Sequence, residues 1–246
     1  QDAYAKRLGM TSMPVPSRTT HDFAAEYTCI LAMIGSSSAR IAVEIFNGMK
    51  EEYGEVKEPI PAGTVGSSTM PQKRNPILCE AIFSLEAALR AQTMVALQSM
   101  QGEHEAATGY TQMTARTLSE SCGLLGDILE RIVILMEGLQ VFPERMRQNL
   151  DLSGGLIMSE TLMLELAKHI GRQHAHDAIY EAVEESFSSG EAFDAVLRRR
   201  PEVADQLDAA TIETLLDPVR YTGLCSVMAE QQAARALQVA GEIAAR

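Results

Sequence analysis

Residues 22–52, DFAAEYTCILAMIGSSSARIAVEIFNGMKEE, decide the fold. Phe23, Tyr27, Ile30, Leu31, Ile34, Ile41 and Ile45 recur at three- and four-residue intervals, which predicts one apolar stripe on a helix of about 30 residues. Downstream, Pro76 is placed for a helix start, and Ile82, Leu85, Leu89, Val95 and Leu97 carry a second stripe toward Met100. A third runs through Leu118, Leu125, Ile128, Ile132, Leu135 and Leu139, with near-heptad spacing that suits packing against other long helices. A helix of this length extends about 45 Å, more than a small monomeric core covers. The expected fold class is therefore all-α, a long-helix bundle buried against other copies of the chain, with a homotetramer as the expected assembly.

Composition changes near Phe142 and Pro143. Beyond it, shorter helical segments are separated by Ser153-Gly154-Gly155, Gly171, Ser188-Ser189-Gly190 and Pro201. The chain thus divides into a central bundle domain over residues 1–141 and a small helical C-terminal domain over 142–246. Strand alternation, internal repeats and low-complexity tracts are not evident. The Arg198-Arg199-Arg200-Pro201 run reads as a solvated connection.

The 246 residues are 46% hydrophobic, enough for a sizeable core. Cys29, Cys79, Cys122 and Cys225 lack CxxC or metal-ligand spacing and read as reduced thiols, which implies a cytoplasmic setting. The N-terminal residues form no apolar signal core, and no uninterrupted apolar run reaches the roughly 18 residues of a membrane span. A net charge of −12 repels nucleic acid and anionic lipid. Neither nucleic acid nor membrane is expected as a partner, and a small acidic substrate needs a local cationic pocket. His169, His174 and His176 lack a matching set of ligands on one helical face, so no metal site is read, and no cofactor is required.

Residues 63–76, GTVGSSTMPQKRNP, concentrate the chemistry. A glycine-led turn delivers the hydroxyls of Ser67 and Ser68, followed by the cation of Lys73 and the amide of Asn75. An ammonium and a two-donor amide two residues apart in an extended segment lie on one side, as carboxylate recognition requires. The loop is expected to be mobile and to close over an anion. Taken alone, the same residues also fit a polar connection whose serines satisfy turn backbone.

The ordered run Gly66-Ser67-Ser68-x-Met70-Pro71-x-Lys73-x-Asn75-Pro76 resembles the signature of the fumarase/aspartase superfamily, whose members make or break a bond beside a carboxylate. Segments 142–157, 171–177 and 216–223 look most like bacterial 3-carboxy-cis,cis-muconate cycloisomerases, then adenylosuccinate lyases. The resemblance implies that Ser67 is the catalytic base, with Ser68 as the neighbouring hydroxyl, and that Lys73, Asn75 and Met70 bind substrate. It further implies that Glu80 supports a catalytic histidine of another subunit, although an acidic residue in a first helical turn is also favoured by the macrodipole. His21 stands where many relatives carry an arginine that binds substrate. It is read as a binding residue, the alternative being a helix-entry histidine. His104 reads as a structural histidine, and Tyr110-Thr111-Gln112 replaces a Trp-His pair of the cycloisomerases.

Superfamily subunits are nearly twice this length, and each active site is assembled from three of them. The chain is accordingly expected to be a fragment, a truncated form or half of a split enzyme. The activity implied is a lyase or cycloisomerase acting on a polycarboxylate, most like 3-carboxy-cis,cis-muconate cycloisomerase, with an adenylosuccinate-type C–N lyase as the alternative. Two other classes are a non-catalytic structural homologue, as crystallins are in this superfamily, and an unrelated helical scaffold.

Overall fold

The computed structural model of the chain describes residues 1–13, 20–60, 63, 69–70, 73–104 and 108–245. They form two compact units, Gln1–Arg145 and Met146–Arg246. The change of composition at Phe142-Pro143 precedes this division because Arg145 reaches back, donating from Nε to the Tyr53 carbonyl at 2.8 Å and from Nη2 to that of Glu52 at 3.0 Å.

After a short helix α1 (Asp2–Arg7), the first unit is built on α2 (Asp22–Gly48), α3 (Ile77–Ser99) and α4 (Thr108–Glu137), which pack against one another. Their shared core contains Leu31, Ile45, Ile82, Leu89, Leu125, Ile128 and Leu135. The α4 stripe lies as expected, with Leu125, Ile128 and Leu135 buried and Leu118, Ile132 and Leu139 half-buried. On α3, Ile82 and Leu89 face inward, whereas Val95 and Leu97 are exposed.

The expected α2 stripe is mostly left uncovered within the single chain. Phe23, at 59% exposure, and Tyr27, Ile30, Ile34 and Ile41 point outward, and only Leu31 and Ile45 of that set are buried. The inner face is instead a seam of small residues: Ala24, Ala25, Thr28, Ala32, Gly35, Ser38, Ala39 and Ala42. Small side chains let the backbones approach. A Cβ placed on Gly35 would stand 2.8 Å from Leu89 Cδ2. Across this seam Ser36 Oγ donates to Glu86 Oε1 at 2.7 Å, and the largely buried Glu86 is also 3.7 Å from Arg90 Nε.

By length and composition α2 is apolar enough to cross a membrane, with a mean hydropathy of 1.5 over its most apolar window. Its small-residue face is nevertheless occupied by α3 and α4. The sequence showed no strand alternation, yet β1 (Val56–Lys57) and β2 (Gln140–Val141) form an antiparallel ribbon, Val56 opposite Val141. Strands of two residues are too short for alternation to register.

The second unit comprises α5 (Pro143–Asp151), which begins in the first unit, then α6 (Ser159–Ile170), α7 (Arg172–Ser189), α8 (Phe193–Arg199), α9 (Pro201–Ala204), α10 (Ala209–Leu215) and α11 (Cys225–Ala244). Leu162, Leu166, Ile179, Phe193, Val196, Leu197, Val203 and Ile212 close on one another as its core. Gly190 ends α7 at φ 73, a left-handed cap that glycine adopts without a Cβ penalty. The arginine run forms ion pairs rather than a purely solvated connection. Arg199 joins Glu185 at 2.5 Å and Glu191 at 2.6 Å, while Arg200 pairs with Glu181 and, at 3.0 Å, with Glu185. By contrast, α11 is exposed along its length.

Candidate functional site

The signature loop leaves from the end of the β ribbon and re-enters the bundle at α3. Its departure point is closely supported. Gly54, at φ 62, turns the chain after α2, Glu55 N donates to the Gly48 carbonyl at 2.9 Å, and Phe142 N donates to the Glu55 carbonyl at 2.8 Å. Pro59 then lies so close to the end of α4 that a Cβ on Gly138 would stand 2.5 Å from the Pro59 Cβ. This contact requires glycine.

Between ribbon and loop, Glu58 is 5% exposed. Its Oε1 accepts from Leu78 N at 3.1 Å and its Oε2 from Cys79 N at 3.2 Å. Helix α3 needs this carboxylate, because Pro76 occupies its cap position and offers no side-chain acceptor. The first N–H groups of a helix otherwise lack partners, and a carboxylate there also meets the favourable end of the helix dipole. The Cys79 thiol is fully buried, and its pKa is pushed up to about 12, first by burial and then by the adjacent Glu58 charge. It therefore stays a thiol at neutral pH. Sequence reading missed Glu58, since a cap arriving from 20 residues upstream has no local signature.

Of the residues singled out in the sequence, Ser67 and Ser68 lie outside the described residues. Met70 is 45% exposed, and its carbonyl accepts from Lys73 N at 3.0 Å, closing a turn. Lys73 is exposed, and among the described residues its ammonium enters no ion pair. Arg74 donates from Nη1 to the Lys73 carbonyl at 3.3 Å. Asn75 is half-buried, and its carbonyl accepts from Ile77 N at 2.9 Å, leading directly into α3. Glu80 is exposed in the first turn of α3. The expected mobility of residues 63–72 concerns a segment largely outside the described residues.

His21 is placed differently from the loop cation. It is 6% exposed at the start of α2, its carbonyl accepts from Ala24 N and Ala25 N, and its Nε2 meets no hydrogen-bond partner among the described residues. A buried imidazole nitrogen without a partner is costly. His21 stands at the N-cap position of α2, and its side chain does not cap the helix. His104 has φ 57, uncommon for a residue with a side chain, and Tyr110 is half-buried in the first turn of α4. His176 stacks on Tyr180 with ring centroids 6.4 Å apart and approaches Asp177 at 3.2 Å. Among the described residues, no three His, Cys, Asp or Glu side chains converge as a metal set.

Two families match the chain: the one described as Lyase over residues 1–90, and that described as Adenylosuccinate lyase C-terminus over residues 155–232. Trans-aconitate decarboxylase 1 of Mycosarcoma maydis is 38% identical over 92% of this chain and 46% of its own length. The N-acetyl-S-(2-succino)cysteine lyase of Dickeya dadantii is 34% identical over 88% and 48% respectively. The 3-carboxy-cis,cis-muconate cycloisomerase of Pseudomonas aeruginosa is 34% identical over 93% and 50%. Among solved structures, a fumarate lyase from Mesorhizobium sp. BNC1 superposes with a TM-score of 0.84 at 32% identity, covering 94% of this chain and 51% of that one. The 3-carboxy-cis,cis-muconate lactonizing enzyme of Pseudomonas putida gives 0.82 at 31% identity, covering 92% and 50%. The chain thus spans about half the length of the relatives it matches.

Proposed function

The chain belongs to the fumarase/aspartase superfamily, and from that membership we propose that, in the complete protein, it supplies the proton-abstracting wall of a lyase or cycloisomerase acting on a polycarboxylate. The observation that carries this reading is the unbroken run from Gly66 to Pro76, which holds every signature position and leads into a capped helix. The relatives support the substrate class, since trans-aconitate, a succinylated cysteine and carboxymuconate are each polycarboxylates.

In this reading Ser67, as its alkoxide, removes the proton alpha to a substrate carboxylate. The freed electron pair enters that carboxylate, and its return forms the double bond as the beta substituent leaves. Run in reverse, the same serine returns the proton. Lys73 and Asn75 hold the carboxylate on which charge accumulates, so they act where electrostatic stabilisation is greatest. Ser68 and Met70 border the reacting atoms, Glu80 orients a histidine supplied by another subunit, and His21 binds a distal polar group of the substrate. The exposed apolar residues of α2 are covered by other copies in a homotetramer, and the four free cysteines agree with a cytoplasmic setting.

For the substrate, a 3-carboxymuconate-like polycarboxylate is preferred. An adenylosuccinate-type C–N lyase is the second reading, favoured by the match over residues 155–232. Assays of the full-length protein against carboxymuconate, trans-aconitate, N-acetyl-S-(2-succino)cysteine and adenylosuccinate rank these. Turnover of adenylosuccinate alone would overturn the cycloisomerase preference. Absence of turnover in every assay would favour a non-catalytic structural homologue.

A further inference from the structure

A buried carboxylate is expensive unless its oxygens are hydrogen-bonded. Glu58 meets this condition by spending one oxygen on each of two consecutive amides, those of Leu78 and Cys79. One function of this arrangement is evident: it caps α3. The geometry around it supports a second.

Upstream, Glu58 is fixed by the ribbon that ends at Lys57 and by the contact of Pro59 with Gly138. Downstream, the amides it holds lie immediately beyond Asn75, Pro76 and Ile77. That connection has little freedom. Pro76 restricts its own φ, here −80°, and the Asn75 carbonyl is bonded to Ile77 N. Lys73 is tied in turn to Met70 through its own N–H. The chain therefore has few soft torsions between the Glu58 clamp and the proposed carboxylate-binding pair.

We propose that Glu58 is a positioning residue, which sets the placement of Lys73 and Asn75 by locking the start of α3 to the stem of the loop. This rests on the functional reading above for the role of Lys73 and Asn75, but not for the clamp itself. The clamp is present whatever the loop binds. A cap that merely stabilised α3 would serve equally well from a local Ser, Thr or Asp at the helix start. A carboxylate from the opposite stem instead ties both ends of the 20-residue interval together.

The test uses the full-length protein with Glu58→Ala, Glu58→Gln, Lys73→Ala and the two double variants, below the melting temperature of each. Amide hydrogen exchange reads the clamp directly. Glu58→Ala is expected to remove protection at Leu78 and Cys79 while the middle of α3 stays protected. Steady-state kinetics read the positioning. Glu58→Ala is expected to lower kcat/KM about 10- to 100-fold, the scale of ångström-level misplacement, and Glu58→Gln, which keeps one acceptor oxygen, less. The effects of Glu58→Ala and Lys73→Ala should be strongly non-additive, because one acts through the other. If Glu58→Ala does not fold, the cycle with Glu58→Gln carries the same test. Additive losses, or lost protection with unchanged kcat/KM, would reduce Glu58 to a helix cap and overturn the proposal. Unchanged exchange at Leu78 and Cys79 would overturn the clamp. A wild-type protein inactive on every polycarboxylate would overturn the functional reading and the positioning role with it, and hydrogen exchange would still report separately on the clamp.

Discussion

The second unit and helix α2 of the first place their large apolar side chains in opposite ways. Between Met146 and Arg246, Phe193, Leu162, Leu166, Leu197 and Ile212 turn inward, and the short helices α6 to α10 close over them. In the first unit, α2 lines its inner face with alanine, glycine, serine and threonine and leaves Phe23, Tyr27, Ile30, Ile34 and Ile41 outside. A core of small residues brings helices close but buries little area per residue, and hydrophobic stabilisation scales with that area. The second unit thus buries those large side chains within its own contacts through α10. The first leaves an apolar face of α2 exposed, the face proposed above to meet further copies of the chain.

The largest expected effect tests the self-sufficient core. Phe193→Ala should cost about 3–5 kcal/mol, the range for truncating a fully buried aromatic, with unfolding of the second unit seen by hydrogen exchange while α2 to α4 stay protected. A uniform loss across both units would break the distinction between them. Next in size is the chemical asymmetry. Ser67→Ala in the full-length protein should lower kcat by at least about 100-fold with substrate binding nearly retained, whereas Lys73→Ala should weaken binding and turnover together.

A smaller effect on folding, with a larger one on assembly, is expected for Ile34→Glu combined with Ile41→Glu. Both side chains are exposed, so the unfolding free energy should change by roughly 0.5 kcal/mol or less per site. Light scattering should nonetheless show a shift to lower mass. Unchanged mass would remove the outer face of α2 from the assembly.

The smallest effect concerns pH and is confined to the second unit. Hydrogen bonds from Arg199 hold the Glu185 and Glu191 carboxyls below their ordinary 4.5. A carboxylate depressed in the folded state contributes stability that is fully present above the unfolded value and is lost as pH falls through the folded one. Below about pH 4.5, therefore, the second unit should lose stability, and Arg199→Ala should flatten that loss. An identical acid profile for the variant would show that the network is too well solvated to matter.

Much of the fold was legible because helical period is a local property. The existence of α2, α3 and α4 follows from it, although the stripe from Leu118 to Leu139 covers only part of α4 (Thr108–Glu137), and the inward face of α4 follows from its near-heptad leucines and isoleucines. The face of α2 that packs within the chain was not read, for a physical reason: Ala24, Ala32, Gly35, Ala39 and Ala42 form their own periodic seam, but hydropathy gives them less weight than the isoleucines opposite. For the proposed site, the order of residues from Gly66 to Pro76 carries the resemblance from which its chemistry is proposed. Glu58 does not, since nothing near it in the chain predicts that its acceptor geometry is completed by Leu78 and Cys79. Likewise, the burial of His21 depends on what packs over the start of α2, which no local pattern encodes.

A seam of small residues has a mechanical side. Alanine and glycine leave hollows into which a neighbouring side chain lodges, as Leu89 does against Gly35. The hydrogen bond from Ser36 to Glu86, at the edge of that seam, adds a polar contact that indexes α2 to the same height on α3. Because α2 is a rigid rod of 27 residues, that index is read out at both of its ends. A slip of one turn would carry His21 about 5.4 Å along the axis. The packing of Leu89 against Gly35 and the hydroxyl of Ser36 together set the height at which α2 stands on α3.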